Sequence, residues 1–170
     1  MKKMRKGFTL VELLIVITIV GLLGTMMLIS GKDAQNAARV AKILEGFRNI
    51  EAAVMMYDEA APGALAADMA DATNGTKSIV ASVKYYLKNE AVLGDASYED
   101  AGPGTYYVAI EGTTLWLYYT LPNATGAIND MLAAKAADYG LKKAANADPK
   151  AASNEYDGQA ATVYYNVLYF

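Results

Sequence analysis

The chain has 170 residues, 15 of them basic and 18 acidic for a net charge of −3, and it contains neither cysteine nor histidine. Thiol- or histidine-dependent catalysis and Cys/His zinc sites are therefore excluded. Past Ser30 the balance is eleven basic against seventeen acidic side chains, which argues against a bulk electrostatic nucleic-acid binder, since that needs a basic face.

Residues 1–30 carry the most information. Lys2, Lys3, Arg5 and Lys6 place four positive charges before Gly7, and no charge occurs from Leu13 to Ser30. As a helix, Phe8 to Ile29 spans about 33 Å, enough to cross a bilayer core of about 30 Å. The basic side stays in the cytoplasm and the rest of the chain lies outside. Glu12 is the anomaly. An ionised carboxylate in a membrane segment costs about 2.5–3.5 kcal/mol or more, so such a residue usually marks a specific partner. A second reading places Glu12 one turn into the segment, near enough to the surface to reach water.

Gly7-Phe8-Thr9-Leu10-Val11-Glu12 and the apolar run behind it resemble the class III signal of type IV pilins and type II secretion pseudopilins. The resemblance rests on a short basic leader, glycine before phenylalanine, glutamate four residues after that phenylalanine, and an apolar helix. It implies cleavage by a prepilin peptidase between Gly7 and Phe8 and methylation of the new Phe8 amine. In an ordinary secretory signal the apolar region is removed; here it stays as the stem of the mature protein. Glu12 then pairs with the Phe8 amine of a neighbouring subunit in the filament core. Mismatching that pair leaves a buried unpaired charge costing about 3–5 kcal/mol, so Glu12 sets the axial register of assembly. Many Gram-negative pilins close a C-terminal loop with a disulfide, and this cysteine-free chain departs from that pattern.

The helix is expected to continue past the membrane edge. Val40, Ile43, Phe47, Ile50, Val54 and Tyr57 recur at helical spacing, Lys42, Glu45, Arg48 and Glu51 occupy a more polar face, and no proline interrupts Phe8 to Ala61. One helix from Phe8 to about Asp58 is about 75 Å long, with an apolar first half and an amphipathic second half. Gly21 and Gly24 each cost about 1 kcal/mol of helix propensity. In pilin-like filaments a stretch near here can lose helical order. The other reading is that small residues let neighbouring helices approach closely. Many family members carry a proline at the position of Ile29; this chain does not, and that absence weakens the case for melting here.

Glu59 to Thr76 is alanine-rich and broken by Pro62-Gly63 and Asn74-Gly75, which reads as a loop with room for a short helical turn. Ser78 to Asn89 places Ile79, Val80, Val83, Tyr86 and Leu87 on one helical face. After a loop from Gly94 to Gly104, Thr105–Glu111 and Thr114–Leu121 read as an antiparallel hairpin around Gly112-Thr113. Ala127 to Ala145 offers Ile128, Met131, Leu132 and Leu141 to a buried face, Lys142-Lys143 reads as a solvated helix face, and Thr162–Phe170 ends the chain as a strand. Of the tyrosine pairs at 85–86, 106–107, 118–119 and 164–165, those in strands should send one ring into the core and one outward.

Two acidic clusters raise the question of calcium, which takes six to eight oxygen ligands from flexible loops. Asp95, Glu99 and Asp100 form one; Asp148, Asn154, Glu155 and Asp157 form the other. Major pseudopilins often hold a structural calcium in a C-terminal loop, which makes the second the better candidate, although solvated loop charges account for both and neither matches a known loop spacing. Otherwise no cofactor is expected. No nucleophile elbow, phosphate-binding loop or dinucleotide fingerprint is present, and the chain reads as a non-enzyme.

The expected fold is α+β: a long N-terminal helix packed against a small antiparallel sheet of three to four strands, with one or two further short helices. The domain plan is a leader at 1–7, a long helix at 8–58 divided at residue 30, and a head at 59–170. Read with the resemblance, the chain is a structural subunit of a type IV pilus that polymerises through its N-terminal helix. Its partners are identical subunits, the prepilin peptidase, and an inner-membrane assembly platform with its motor ATPase. It sits in the inner membrane before assembly and in an extracellular filament after it. The alternative is a pseudopilin of a type II secretion or DNA-uptake system, building a short periplasmic pseudopilus.

Overall fold

The computed structural model describes residues 7–71, 74–94, 103–111, 114–123, 126–143 and 155–169, with side chains at all of these except 28–30 and 168–169. In chain order the elements are α1 (Leu10–Ala60), α2 (Ala64–Ala70), α3 (Gly75–Tyr86), a 3₁₀ turn (Glu90–Val92), β1 (Tyr106–Glu111), β2 (Thr114–Thr120), α4 (Ala127–Ala133), α5 (Ala136–Tyr139), β3 (Leu141–Lys142) and β4 (Thr162–Tyr169). The fold class is α+β, with a long N-terminal helix, an antiparallel sheet and additional short helices. The chain divides into two units, Met1–Asn36 and Ala37–Phe170, with the division inside α1.

In the first unit α1 carries no charge from Leu13 to Ser30, and every described residue from Gly7 to Met27 is exposed. The second unit is built on the amphipathic stripe. Val40, Ile43, Phe47, Ile50, Val54 and Tyr57 are all buried, as the 3–4 spacing requires of a helix that packs along one face. The sheet they meet has, among the described residues, four strands in the order β1-β2-β4-β3, each neighbouring pair antiparallel. Tyr106↔Tyr119 through Glu111↔Thr114 fix the hairpin register. The turn residues Gly112 and Thr113 lie outside the described residues.

Strand alternation decides which side chains face α1. Tyr106, Val108, Leu115, Leu117, Val163 and Val167 join the core with the helix residues. Phe47 sits between two rings from the sheet: edge-on to Tyr106 at 5.2 Å and stacked on Tyr165 at 5.4 Å. The Tyr106 hydroxyl donates to the Ile43 carbonyl at 2.8 Å, and Tyr165 donates to Glu51 Oε2 at 2.7 Å. The helix gives way to the first of these rings at Gly46, where a Cβ would overlap the Tyr106 phenol.

The other face of the sheet corrects an expectation. The outward rings of the strand tyrosine pairs are not exposed. Tyr107, Trp116, Tyr118 and Tyr164 form a second buried cluster, with Tyr118 0% exposed and Trp116 1%. Tyr107 stacks on Tyr118 at 5.3 Å, and Tyr118 lies 5.8 Å from Tyr164. Part of the cover comes from Gly94, whose missing side chain leaves room for the Tyr107 ring. Alternation correctly sends adjacent rings to opposite faces, but both faces are packed. Among the tyrosine pairs, only the helical one keeps an open ring, at Tyr85.

Three further boundaries differ from the sequence reading. The segment before Thr76 is more helical than a loop, because α2 occupies Ala64–Ala70 and α3 already begins at Gly75. Gly75 is there for contact: a Cβ would collide with the Asp68 carbonyl at the end of α2. In the alanine-rich region, Gly140 at φ 67 ends α5 and sends the chain into β3. Leu141 is therefore a buried strand residue, and Lys142 is not on a solvated helix face but buried at 8% exposure.

Candidate functional site

The start of α1 is where the sequence concentrates its unusual chemistry. Thr9 is the N-cap, since the helix begins at Leu10, and Glu12 occupies the third helical position. The Thr9 N–H donates to Glu12 Oε2 at 2.9 Å, and the Thr9 hydroxyl donates to the same oxygen at 2.8 Å. In return the Glu12 N–H donates to Thr9 Oγ1 at 3.2 Å. This reciprocal arrangement is a capping box, which satisfies two of the otherwise unpaired N–H groups at a helix start. The carboxylate also lies in the first turn, where the helix dipole favours negative charge. Glu12 thus has a role inside its own chain that the sequence reading missed. Its signal was present: threonine, two residues, then glutamate ahead of an apolar run.

Phe8 is 84% exposed beside this box. Around the apolar half of α1 the chain itself gives no reason for glycine. A Cβ built at Gly7, Gly21 or Gly24 meets nothing within 4 Å. Helix α1 runs unbroken through Gly21 and Gly24. Two threonines of the apolar stretch turn their hydroxyls onto the helix backbone. Thr18 Oγ1 donates to the Leu14 carbonyl at 2.7 Å and Thr25 Oγ1 to the Leu22 carbonyl at 2.8 Å. Hydroxyls satisfied within the helix suit a hydrocarbon surrounding, where no water competes. By length and composition this helix is able to cross a membrane, and none of its most apolar stretch is buried.

Residues 2–28 match the family model of the prokaryotic N-terminal methylation motif. The chain carries a type IV pilin-like class III signal. The matched stretch takes in the basic leader, Gly7, Phe8, the capping box and the apolar helix through Leu28. Neither a curated protein nor a solved structure matches the chain. The methylation signal and the apolar helix together fit membrane anchoring, and proteins with this signal are structural.

The calcium candidates are only partly within view. Asp148 and Asn154 lie outside the described residues, as do Asp95, Glu99 and Asp100. Asp157 accepts from the Gln159 N–H at 3.1 Å and pairs with Lys143 Nζ at 3.3 Å. The Gln159 amide, with the Lys143 ammonium beside it, holds the Asp157 carboxyl below the usual carboxylate range. Glu155 is half-buried and its backbone bridges to Lys142. Among the described residues no three acidic side chains converge in a way that holds a metal.

Proposed function

We propose that the chain is the structural subunit of a type IV pilus, with Phe8 as its mature, methylated N-terminus. The observation that carries this reading is the methylation signal followed by an exposed apolar helix whose one charge is Glu12. A signal of this kind has a use only if a peptidase cuts after Gly7 and leaves the stem on the product. The stem then rests in the inner membrane until its apolar surface is transferred to the stems of identical subunits. Glu12 pairs with the Phe8 amine of a neighbour, exchanging or sharing its Thr9 contacts. In an apolar core an unmatched carboxylate costs about 3–5 kcal/mol, so one axial register is selected. The inner-membrane platform and its motor ATPase supply the work, since the chain has no residues for it. The head, from residue 59, is carried on the filament surface.

The test is to shear cells of the native host and determine the mature N-terminus by mass spectrometry in sheared and membrane fractions. A methylated Phe8 start in the sheared filaments is the expected result. The same start confined to the membrane points to a periplasmic pseudopilus, the role the absence of a disulfide slightly favours, or to an unassembled pool. An intact Met1, or a cut after the apolar run, removes both readings.

A further inference from the structure

We propose that Asn129 is a non-covalent clasp that straps the segment Glu155–Ala161 onto the head and controls its local opening. Asn129 lies on α4 and is buried. Its two Nδ2 hydrogens are shared among three acceptors, the Tyr156 hydroxyl at 3.0 Å, the Asn123 carbonyl at 3.2 Å and the Ala160 carbonyl at 3.3 Å. The Tyr156 hydroxyl in turn donates to the Ala160 carbonyl at 2.6 Å. One amide group thus ties together α4, the exit of β2 and the approach to β4.

Backbone contacts bracket the same segment. Tyr156 N–H donates to the Leu141 carbonyl at 3.1 Å at one end, and Leu121 N–H donates to the Ala161 carbonyl at 2.6 Å at the other. Between them the chain turns at Gly158, at φ +79, where a Cβ would press on the Asn129 carbonyl at 3.3 Å and on Ala133 Cβ at 3.4 Å. The strap therefore lies directly on the α4 turn.

The donor chemistry is specific. Two backbone carbonyls and one hydroxyl oxygen surround Nδ2, so the amide nitrogen, and not its oxygen, must point there. A carboxylate of the same shape would set negative charge against two carbonyl oxygens. A residue that merely filled space would tolerate that exchange; a clasp would not. Because few bonds hold it, the strap opens as a unit before the sheet does, in the manner of other sub-global openings. The clasp does not depend on the filament reading.

Hydrogen exchange on the full chain in detergent micelles, resolved by peptide, tests this. In Asn129→Asp and in Tyr156→Phe, exchange across 155–161 should accelerate about tenfold or more, as expected for losing a buried hydrogen bond. The β1–β2 hairpin should keep wild-type protection, and Asn129→Asp should be at least as disruptive as Asn129→Ala. Unchanged exchange across 155–161 in Asn129→Asp overturns the clasp. So does equal acceleration in strap and hairpin, which would make the network ordinary core. Tyr156→Phe keeps the ring in place, so if the Asn129 variants do not fold it decides the matter alone: wild-type protection of the strap refutes the proposal.

Discussion

Thr9 and Glu12 satisfy one another: the Thr9 N–H and hydroxyl both reach Glu12 Oε2, at 2.9 and 2.8 Å, and the Glu12 N–H returns to the Thr9 oxygen. The carboxylate has two separable uses, one as a cap and one as a charge. Glutamine at this position keeps the capping geometry and removes the charge. If register depends on charge, Glu12→Gln should abolish filaments as completely as Glu12→Ala, while both still insert in the membrane. Sheared-filament yield and membrane fractionation measure the two. Normal filaments from Glu12→Gln would leave capping as the sole role of Glu12.

Gly46→Ala should destabilise the head by about 1–3 kcal/mol, although alanine is favoured over glycine in a helix interior by about 1 kcal/mol. The reason is the Tyr106 ring, which occupies the space of the absent Cβ and bonds to the Ile43 carbonyl. Thermal denaturation followed by circular dichroism reads the shift. In a Tyr106→Leu background the obstacle is gone, and the same substitution should become neutral or stabilising. Destabilisation of equal size in both backgrounds would mean that the ring is not what excludes the methyl.

Tyr165 and Glu51 are 114 residues apart and share a hydrogen bond of 2.7 Å. A double-mutant cycle with Tyr165→Phe and Glu51→Ala should give a coupling of about 1.5 kcal/mol, the lower end for a hydrogen bond to a charged group because this one is only part-buried. Strict additivity would show that this hydrogen bond adds nothing to the joining of helix and sheet.

What was legible in the sequence follows from how local each signal is. The buried stripe from Val40 to Tyr57 obeys one period, so residue spacing alone exposes it. The hairpin announces itself by β-rich runs on either side of a glycine. Gly75 misleads because its purpose is non-local: it makes room for the Asp68 carbonyl, and composition reads the same residue as a turn. The second aromatic cluster was invisible for a related reason, since alternation gives the direction of Tyr107 and Tyr118 but not what covers them. Asn129 sits in an alanine-rich run with nothing to distinguish it, and its three acceptors come from two other segments, Asn123 after β2 and Tyr156 and Ala160 on the strap. At the N-terminus, Gly7, Phe8 and Glu12 stood out as a motif, and Thr9 was legible by the capping rule, yet the use of Glu12 proposed for assembly obscured its use as a cap.

Alkaline pH should unfold the head through its tyrosines. Burial pushes Tyr156 from an ordinary 10.0 up to about 12. Burial raises Tyr106 and Tyr165 as well, with the Glu51 carboxylate adding to the second, and it also raises Tyr57 and Tyr119. Between the unfolded and folded values the unfolded chain gives up protons that the folded chain retains. Stability is therefore complete below about pH 10 and falls as pH rises through the folded value. Thermal midpoints should stay level from neutral pH to about 9 and then drop, and the tyrosinate absorbance of the buried rings should appear together with loss of the β signal. Tyr156→Phe should make the alkaline limb shallower, since one proton fewer separates the two states. Titration of all tyrosines near their ordinary value with the sheet intact would show that these rings reach water in the folded head.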